Sequence, residues 1–224
     1  MPEPGPRDGL VEDRSQEPST ARRAFLVGLA EAEPSLRLLA QHPPRVRPQG
    51  LAWFTAARGR YPATAVHAGA WRGTLWAGRA PGGAAPEDLP GELAALRAGG
   101  LQRLVCLVPQ AQLAEHLGLR DYLDTARVYL DEVLALPIPA RGVPGDDMVF
   151  DAAVRGAHRA LAAGESILVH CVAGCGRTGL FAACALVEAG LGAVEALQRF
   201  HAARGCGPES AVQYGYVLDY ARRR

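Results

Sequence analysis

The stretch Ile167-Leu168-Val169-His170-Cys171-Val172-Ala173-Gly174-Cys175-Gly176-Arg177-Thr178-Gly179 decides the reading of this chain. Ser166 to His170 is a short apolar run of the kind that forms a buried strand, and Gly179 to Gly190 has helical spacing. A glycine-bearing loop joins them. Strand, tight loop and helix in that order make an anion site, because the helix start offers unpaired N–H groups and the positive end of its dipole, and the loop can aim further amides at the same point. Gly174 and Gly176 permit the turn and the close approach of a ligand. The binding loop is Val172, Ala173, Gly174, Cys175, Gly176 and Arg177, with the Arg177 guanidinium able to fork onto two oxygens of a phosphoryl group. A thiol at the head of such a loop is favoured as thiolate, which makes Cys171 the candidate nucleophile. Thr178 is placed to donate its hydroxyl to that sulfur.

Around this segment, strand-like and helix-like text alternates. Short strands are expected around Val66 to Ala77 with a turn at Arg72-Gly73, then at Leu101 to Val108 and Glu132 to Leu136. Helices are expected over Glu87 to Ala98, Gln110 to Leu117, Leu119 to Arg127, Phe150 to Ala163, Ala193 to Ala203 and Glu209 to Arg223. That alternation predicts an α/β fold with a central, mostly parallel sheet flanked by helices. Residues 1–20, proline-rich and charged, read as a disordered tail. Residues 21–64 read as an N-terminal extension, two short helices broken at Pro34 and then a proline-rich connector; residues 65–224 form the main domain. Arg45 and Arg47 in the connector either touch a substrate anion or are basic side chains of a solvated, proline-rich loop, and the second reading is preferred.

Acidic and basic residues nearly cancel, leaving a net charge of +1, so no bulk field recommends nucleic acid or an anionic membrane as partner. No apolar run reaches the length of a membrane span. Ala21-Arg22-Arg23-Ala24-Phe25-Leu26 has the look of a twin-arginine export signal, but Glu31 and Glu33 interrupt the apolar stretch that would have to follow. Five cysteines, an odd number, predict reduced thiols in a cytoplasmic protein. Cys106 and Cys184 lie in apolar runs and read as core; Cys175 is either a packed small side chain or a partner that traps oxidised Cys171. A zinc site from His170, Cys171, Cys175, His201 and Cys206 lacks paired C-x2-C spacing, and a nucleotide P-loop would need lysine where Arg177 stands.

HC, five residues, then R-T-G resembles the phosphate-binding loop of the cysteine-dependent protein tyrosine and dual-specificity phosphatase superfamily. LWAGRAPG (75–82), LVCLVP (104–109) and LPIPARGVP (136–144) resemble other segments of bacterial dual-specificity-like members. The resemblance covers residues 65–224. It implies a phosphatase-like fold and two-step hydrolysis of a phosphorylated protein or small phosphomonoester through a phosphocysteine on Cys171, without metal or cofactor. Sulfur or arsenate transfer shares the loop logic, but the R-T-G ending favours the phosphatase reading. In the resembling loops an aspartate follows the second proline as general acid; here Ala140 stands in its place. Three readings follow: the acid has moved to Asp146 or Asp147, the leaving group needs none, or the chain is a phosphate-binding pseudophosphatase or substrate trap. Asp146 and Asp147 also suit the start of the next helix. Glu209 and Gln213 lie where such enzymes carry a glutamine that positions water, and Gln213 is the better match.

Overall fold

The computed structural model describes residues 19–36, 49, 51–57 and 59–224. All but the end of the expected tail, and both Arg45 and Arg47, lie outside the described residues. Helix α1 (Thr20–Ala32) starts where the Ser19 hydroxyl accepts the Arg22 N–H, and residues 34–36 are helical again beyond the expected break. Strands β1 (Leu51–Ala56), β2 (Gly59–Val66) and β3 (Leu75–Gly78) follow, then α2 (Leu89–Ala98), β4 (Arg103–Cys106), α3 (Gln110–Leu117) and α4 (Tyr122–Tyr129). Next come β5 (Glu132–Ala135), α5 (Asp147–Ala163), β6 (Ile167–His170), α6 (Gly176–Glu188), α7 (Ala193–Arg204) and α8 (Ala211–Arg222).

One sheet holds all six strands in the order β1-β2-β3-β6-β4-β5. The pairs β3–β6, β6–β4 and β4–β5 are parallel, as expected; β1–β2 and β2–β3 are antiparallel. Every residue of β6 is buried, which a strand covered on both faces requires of its sequence. His170 at its end registers against Gly78 on one side and Cys106 on the other, so the functional loop leaves from the middle of the sheet.

The β1–β2 hairpin corrects the reading of residues 51–64 as connector and of the sheet as starting near Val66. Pro62 argues against an inner strand, yet it is tolerated because β3 pairs with β2 only from Thr64 onward, so on that side Pro62 has no ladder to break. Helix α4 starts three residues later than expected, after Gly118 has closed α3 in the left-handed region at φ 68°.

The core behind the loop is aromatic. Phe150 of α5 meets Phe181 of α6 and Tyr216 and Tyr220 of α8 edge-on, at ring-centre distances of 5.8, 5.4 and 6.3 Å. Helix α1 docks on α8. Arg22 carries ion pairs to Asp219 of α8 at 2.7 Å and to Asp147 of α5 at 3.0 Å, and a Cβ on Gly215 would overlap the Leu26 carbonyl. Gly215→Ala is therefore expected to lever α1 off α8 and lower stability by about 1–3 kcal/mol in urea unfolding. Gly28→Ala, which faces open space on the same helix, should raise it by up to about 1 kcal/mol.

Candidate active site

The loop from Cys171 to Arg177 is held from its outer side. The Ala80 N–H donates to the Val172 carbonyl at 3.1 Å, which ties the loop to the end of β3. Arg204, at the end of α7, donates from Nη2 to the Ala173 carbonyl at 3.3 Å and from Nε to the Gly174 carbonyl at 3.1 Å, while Nη1 reaches Thr64 Oγ1. In a trans peptide the N–H points opposite to the carbonyl. With the carbonyls of Val172, Ala173 and Gly174 turned outward, the amides of Ala173, Gly174 and Cys175 turn toward the thiol. The Gly174 N–H donates to Cys171 Sγ at 3.3 Å. Gly174 has φ 78°, and a Cβ there would overlap the Gly78 carbonyl, so only glycine fits.

Cys171 is buried at the base of this cradle and free of any disulfide. Arg177, in the first turn of α6, donates from Nη1 to the Ile138 carbonyl at 3.0 Å and to Gln112 Oε1 at 2.8 Å. Those bonds fix the guanidinium plane and leave Nε and Nη2 as the edge for a ligand. Gln112 had no signal in the sequence, being one polar residue of a helix that brings it to the site only in three dimensions. Thr178 Oγ1 is buried without a hydrogen-bond partner among the described residues. His170 is buried, and burial pushes its imidazole down to about 4, so it is neutral near pH 7. Its Nδ1 lies 3.2 Å from the Cys171 carbonyl, which can only accept. Nδ1 therefore carries the proton, and Nε2 accepts from the Tyr122 hydroxyl at 2.7 Å.

The family model described as "Polymorphic toxin system, DSP-PTPase phosphatase" matches residues 85–191, which include this loop. Residues 85–191 are thus similar to the dual-specificity and tyrosine phosphatase superfamily. Among solved structures, a kinase associated phosphatase whose catalytic cysteine is replaced by serine aligns with TM-score 0.63 and 19% identity, over 79% of this chain and 96% of that one. Tk-PTP in its active form aligns with TM-score 0.55 and 23% identity, over 67% and 92% of the two chains. The human tyrosine phosphatase-like serine/threonine/tyrosine-interacting protein aligns with TM-score 0.51 and 20% identity, over 66% and 91%. No curated protein matches the chain by sequence.

Around the phosphatase loop, the other expected residues have separate partners. The Asp146 carboxylate caps α5, accepting the Met148 and Val149 N–H groups at 2.8 and 3.0 Å. Asp147 accepts the Tyr216 hydroxyl at 2.7 Å and pairs with Arg22, which binds it to the α1–α8 face. These bonds account for both aspartates structurally. Gln213 is fully buried; it donates to the Gly142 carbonyl at 2.9 Å and accepts the Glu209 N–H at 2.8 Å, so both ends of its amide serve to join two loops. Ala140 is exposed, two residues beyond the carbonyl that holds Arg177. Arg141 beside it adopts φ 59°, with its carbonyl taking the Ser210 hydroxyl at 2.7 Å and its guanidinium reaching the Glu209 carbonyl at 3.3 Å.

Cys175 is neither a free packed thiol nor a partner for Cys171: it is disulfide-bonded to Cys206, with a Cα–Cα separation of 5.5 Å. That corrects the expectation of wholly reduced thiols. The pair is 31 positions apart in sequence, and the return of α7 across β2 brings Cys206 to the loop. The bond also takes two members out of the zinc set considered from sequence. Cys106 and Cys184 are buried and free, as expected, and burial pushes the Cys106 thiol up to about 12.

Two expectations follow. Cys206→Ser should cost roughly 3.5–4 kcal/mol of unfolding free energy, the loop-closure value for a bridge of this span, and reductant should destabilise the wild type but not the variant. His170 titrates lower in the fold, near 4, than its roughly 6.5 in an unfolded chain. Its contribution is present above pH about 6.5 and is lost as pH falls toward 4, where the unfolded chain alone takes up the proton. Urea unfolding of the wild type should weaken by about 3 kcal/mol more than His170→Asn across that window.

Proposed function

We propose that this phosphatase domain hydrolyses phosphomonoesters, protein phosphotyrosine and phosphoserine or phosphothreonine, through a phosphocysteine on Cys171. The observation that carries the reading is the Gly174 N–H on Cys171 Sγ, in a loop whose Val172, Ala173 and Gly174 carbonyls are bonded elsewhere and whose Arg177 is held through Nη1 alone. A phosphoryl group laid in that cradle places three oxygens on N–H donors and its phosphorus in line with the sulfur. Sulfur attacks phosphorus, the ester oxygen leaves, and water then attacks the phosphocysteine to release phosphate and the thiolate. Because the donors are fixed beforehand by Arg204, β3 and Gln112, charge developing on the equatorial oxygens meets dipoles that need no rearrangement. Thr178, with an uncommitted hydroxyl beneath the loop, is the donor that eases departure of the sulfur in the second step.

Protein phosphate is favoured over inositol lipid because the small residues Val172, Ala173, Gly174 and Gly176 supply no second basic clamp, and Arg204 spends its donors on the outer carbonyls. Among the described residues no helix is long and apolar enough to cross a membrane. The Cys175–Cys206 bond fits oxidising surroundings better than the cytoplasm expected from cysteine usage.

A second reading, a phosphate-binding pseudophosphatase, is motivated by Ala140 and by the prior engagement of Asp146 and Asp147. The two readings separate in one assay series. The enzyme is expected to hydrolyse an aryl phosphate, to be blocked by vanadate, and to lose at least about 10³-fold of its rate in Cys171→Ser with its melting temperature unchanged. Unaltered turnover in Cys171→Ser defeats the nucleophile assignment. A wild type that binds phosphate without turnover, and gains about 10²-fold or more on Ala140→Asp, establishes the second reading instead.

A further inference from the structure

The proton that Ala140 cannot supply has one other source beside the loop. Glu209 lies in the turn between α7 and α8, and its side chain is folded over the start of α6. A Cβ placed on Gly176 would lie 2.6 Å from Glu209 Oε2, 2.9 Å from its Cδ and 3.1 Å from its Cγ. The residue is exposed, and its carboxylate takes part in no hydrogen bond or ion pair among the described residues. That sets it apart from Asp146, which caps α5, and from Asp147, which is paired twice. Its backbone, by contrast, is anchored: the N–H donates to Gln213 Oε1 at 2.8 Å, the carbonyl accepts from Arg141, and the neighbouring Ser210 hydroxyl donates to the Arg141 carbonyl. Through Gln213 and Arg141 this turn is bonded to the very loop, residues 139–142, that carries Ala140. A carboxyl with a fixed main chain and a free head thus lies against Gly176 at the start of α6, and Gly176 leaves the room it occupies.

We propose that Glu209 is the proton-transfer residue of this site, standing in for the missing acid at position 140; this rests on the phosphocysteine reading above. In the first step the S–P bond forms and the P–O ester bond breaks, and the Glu209 carboxyl gives its proton to the departing alkoxide or phenoxide oxygen. In the second step a water oxygen attacks phosphorus, the S–P bond breaks to return the Cys171 thiolate, and the water's proton passes to the Glu209 carboxylate. Ester and water go in, alcohol and phosphate come out, and the enzyme is restored.

Leaving-group dependence tests this, because an acid matters most where the leaving oxygen is a poor one. With kcat/KM measured for 4-nitrophenyl phosphate and phenyl phosphate, Glu209→Gln is expected to lose about 10²-fold on phenyl phosphate and several-fold less on the nitrophenyl ester, with its melting temperature unchanged. Across a series of aryl phosphates the wild-type rate should fall shallowly with leaving-group basicity and that of Glu209→Gln steeply. Ala140→Asp added to Glu209→Gln should recover phenyl phosphate turnover. Equal losses on both esters, no loss on either, or a wild type as steep as the variant overturns the assignment of Glu209. Cys171→Ser run on the same two esters reports separately on the underlying reading: activity retained there removes the phosphocysteine, whatever Glu209 does.

Discussion

The site depends on the orientation of three peptide planes. A loop of five residues between a strand and a helix has no ladder to hold it, and each of its peptides could in isolation turn either way. Here the carbonyls of Val172, Ala173 and Gly174 have donors on the outside, from Ala80 and Arg204. Planarity of the peptide then leaves the amides no choice but the inner side. The aim of these amides is as much a property of Arg204 and of the end of β3 as of the loop's own residues. Desolvation lowers the proton affinity of Arg204, yet three hydrogen bonds to the loop and Thr64 engage its donors, as a half-buried guanidinium needs. The disulfide from Cys175 to Cys206 closes the same ring of restraint through the segment that follows Arg204.

His170 extends that restraint into the core. The chain of donors from the Tyr122 hydroxyl to Nε2, and from Nδ1 to the Cys171 carbonyl, works only with a neutral ring in a single tautomer, and burial keeps the ring neutral. Tyr122 itself sits fully buried on α4, where burial strongly disfavours its phenolate, so its proton stays on oxygen and is given to the imidazole. The residue before Cys171 thus sets the direction of the peptide that leads into the loop.

How far the sequence reveals this differs by residue and for physical reasons. The strand, loop and helix around Cys171 were legible because each carries a local requirement: an uninterrupted apolar run for a strand covered on both faces, glycine at φ 78°, and an arginine at the first turn of the helix. The parallel half of the sheet was legible for the same reason. The β1–β2 hairpin was not, because Pro62 and the polar residues around it fit an inner strand only where β3 has already ended, and the length of β3 is set by its own neighbours. Gln112, Arg204 and Cys206 escaped because each meets the loop across a separation of 30 or more residues, and nothing in their local text marks them. Asp146 and Asp147 were read as both caps and acids; their hydrogen bonds favour the first.

Charge explains why the placement of the missing proton donor matters to the whole site. Amides, a helix start and Arg177 all favour negative charge, and a loop that binds a dianion well also holds the product phosphate well. Turnover of esters with poor leaving groups is speeded by a group that gives up a proton as the oxygen departs and takes one as the water attacks. Ala140 cannot do this, Gln213 is an amide with both ends engaged, and the two nearby aspartates are bound to α5 and to the α1–α8 face. A lone carboxyl held by its backbone against the loop, with its head free, has the mobility of charge that the rigid cradle lacks. The rigidity of the cradle and the freedom of Glu209 are therefore complementary: the dipoles of the loop are fixed by their outer partners, and the carboxylate beside Gly176 is free to move.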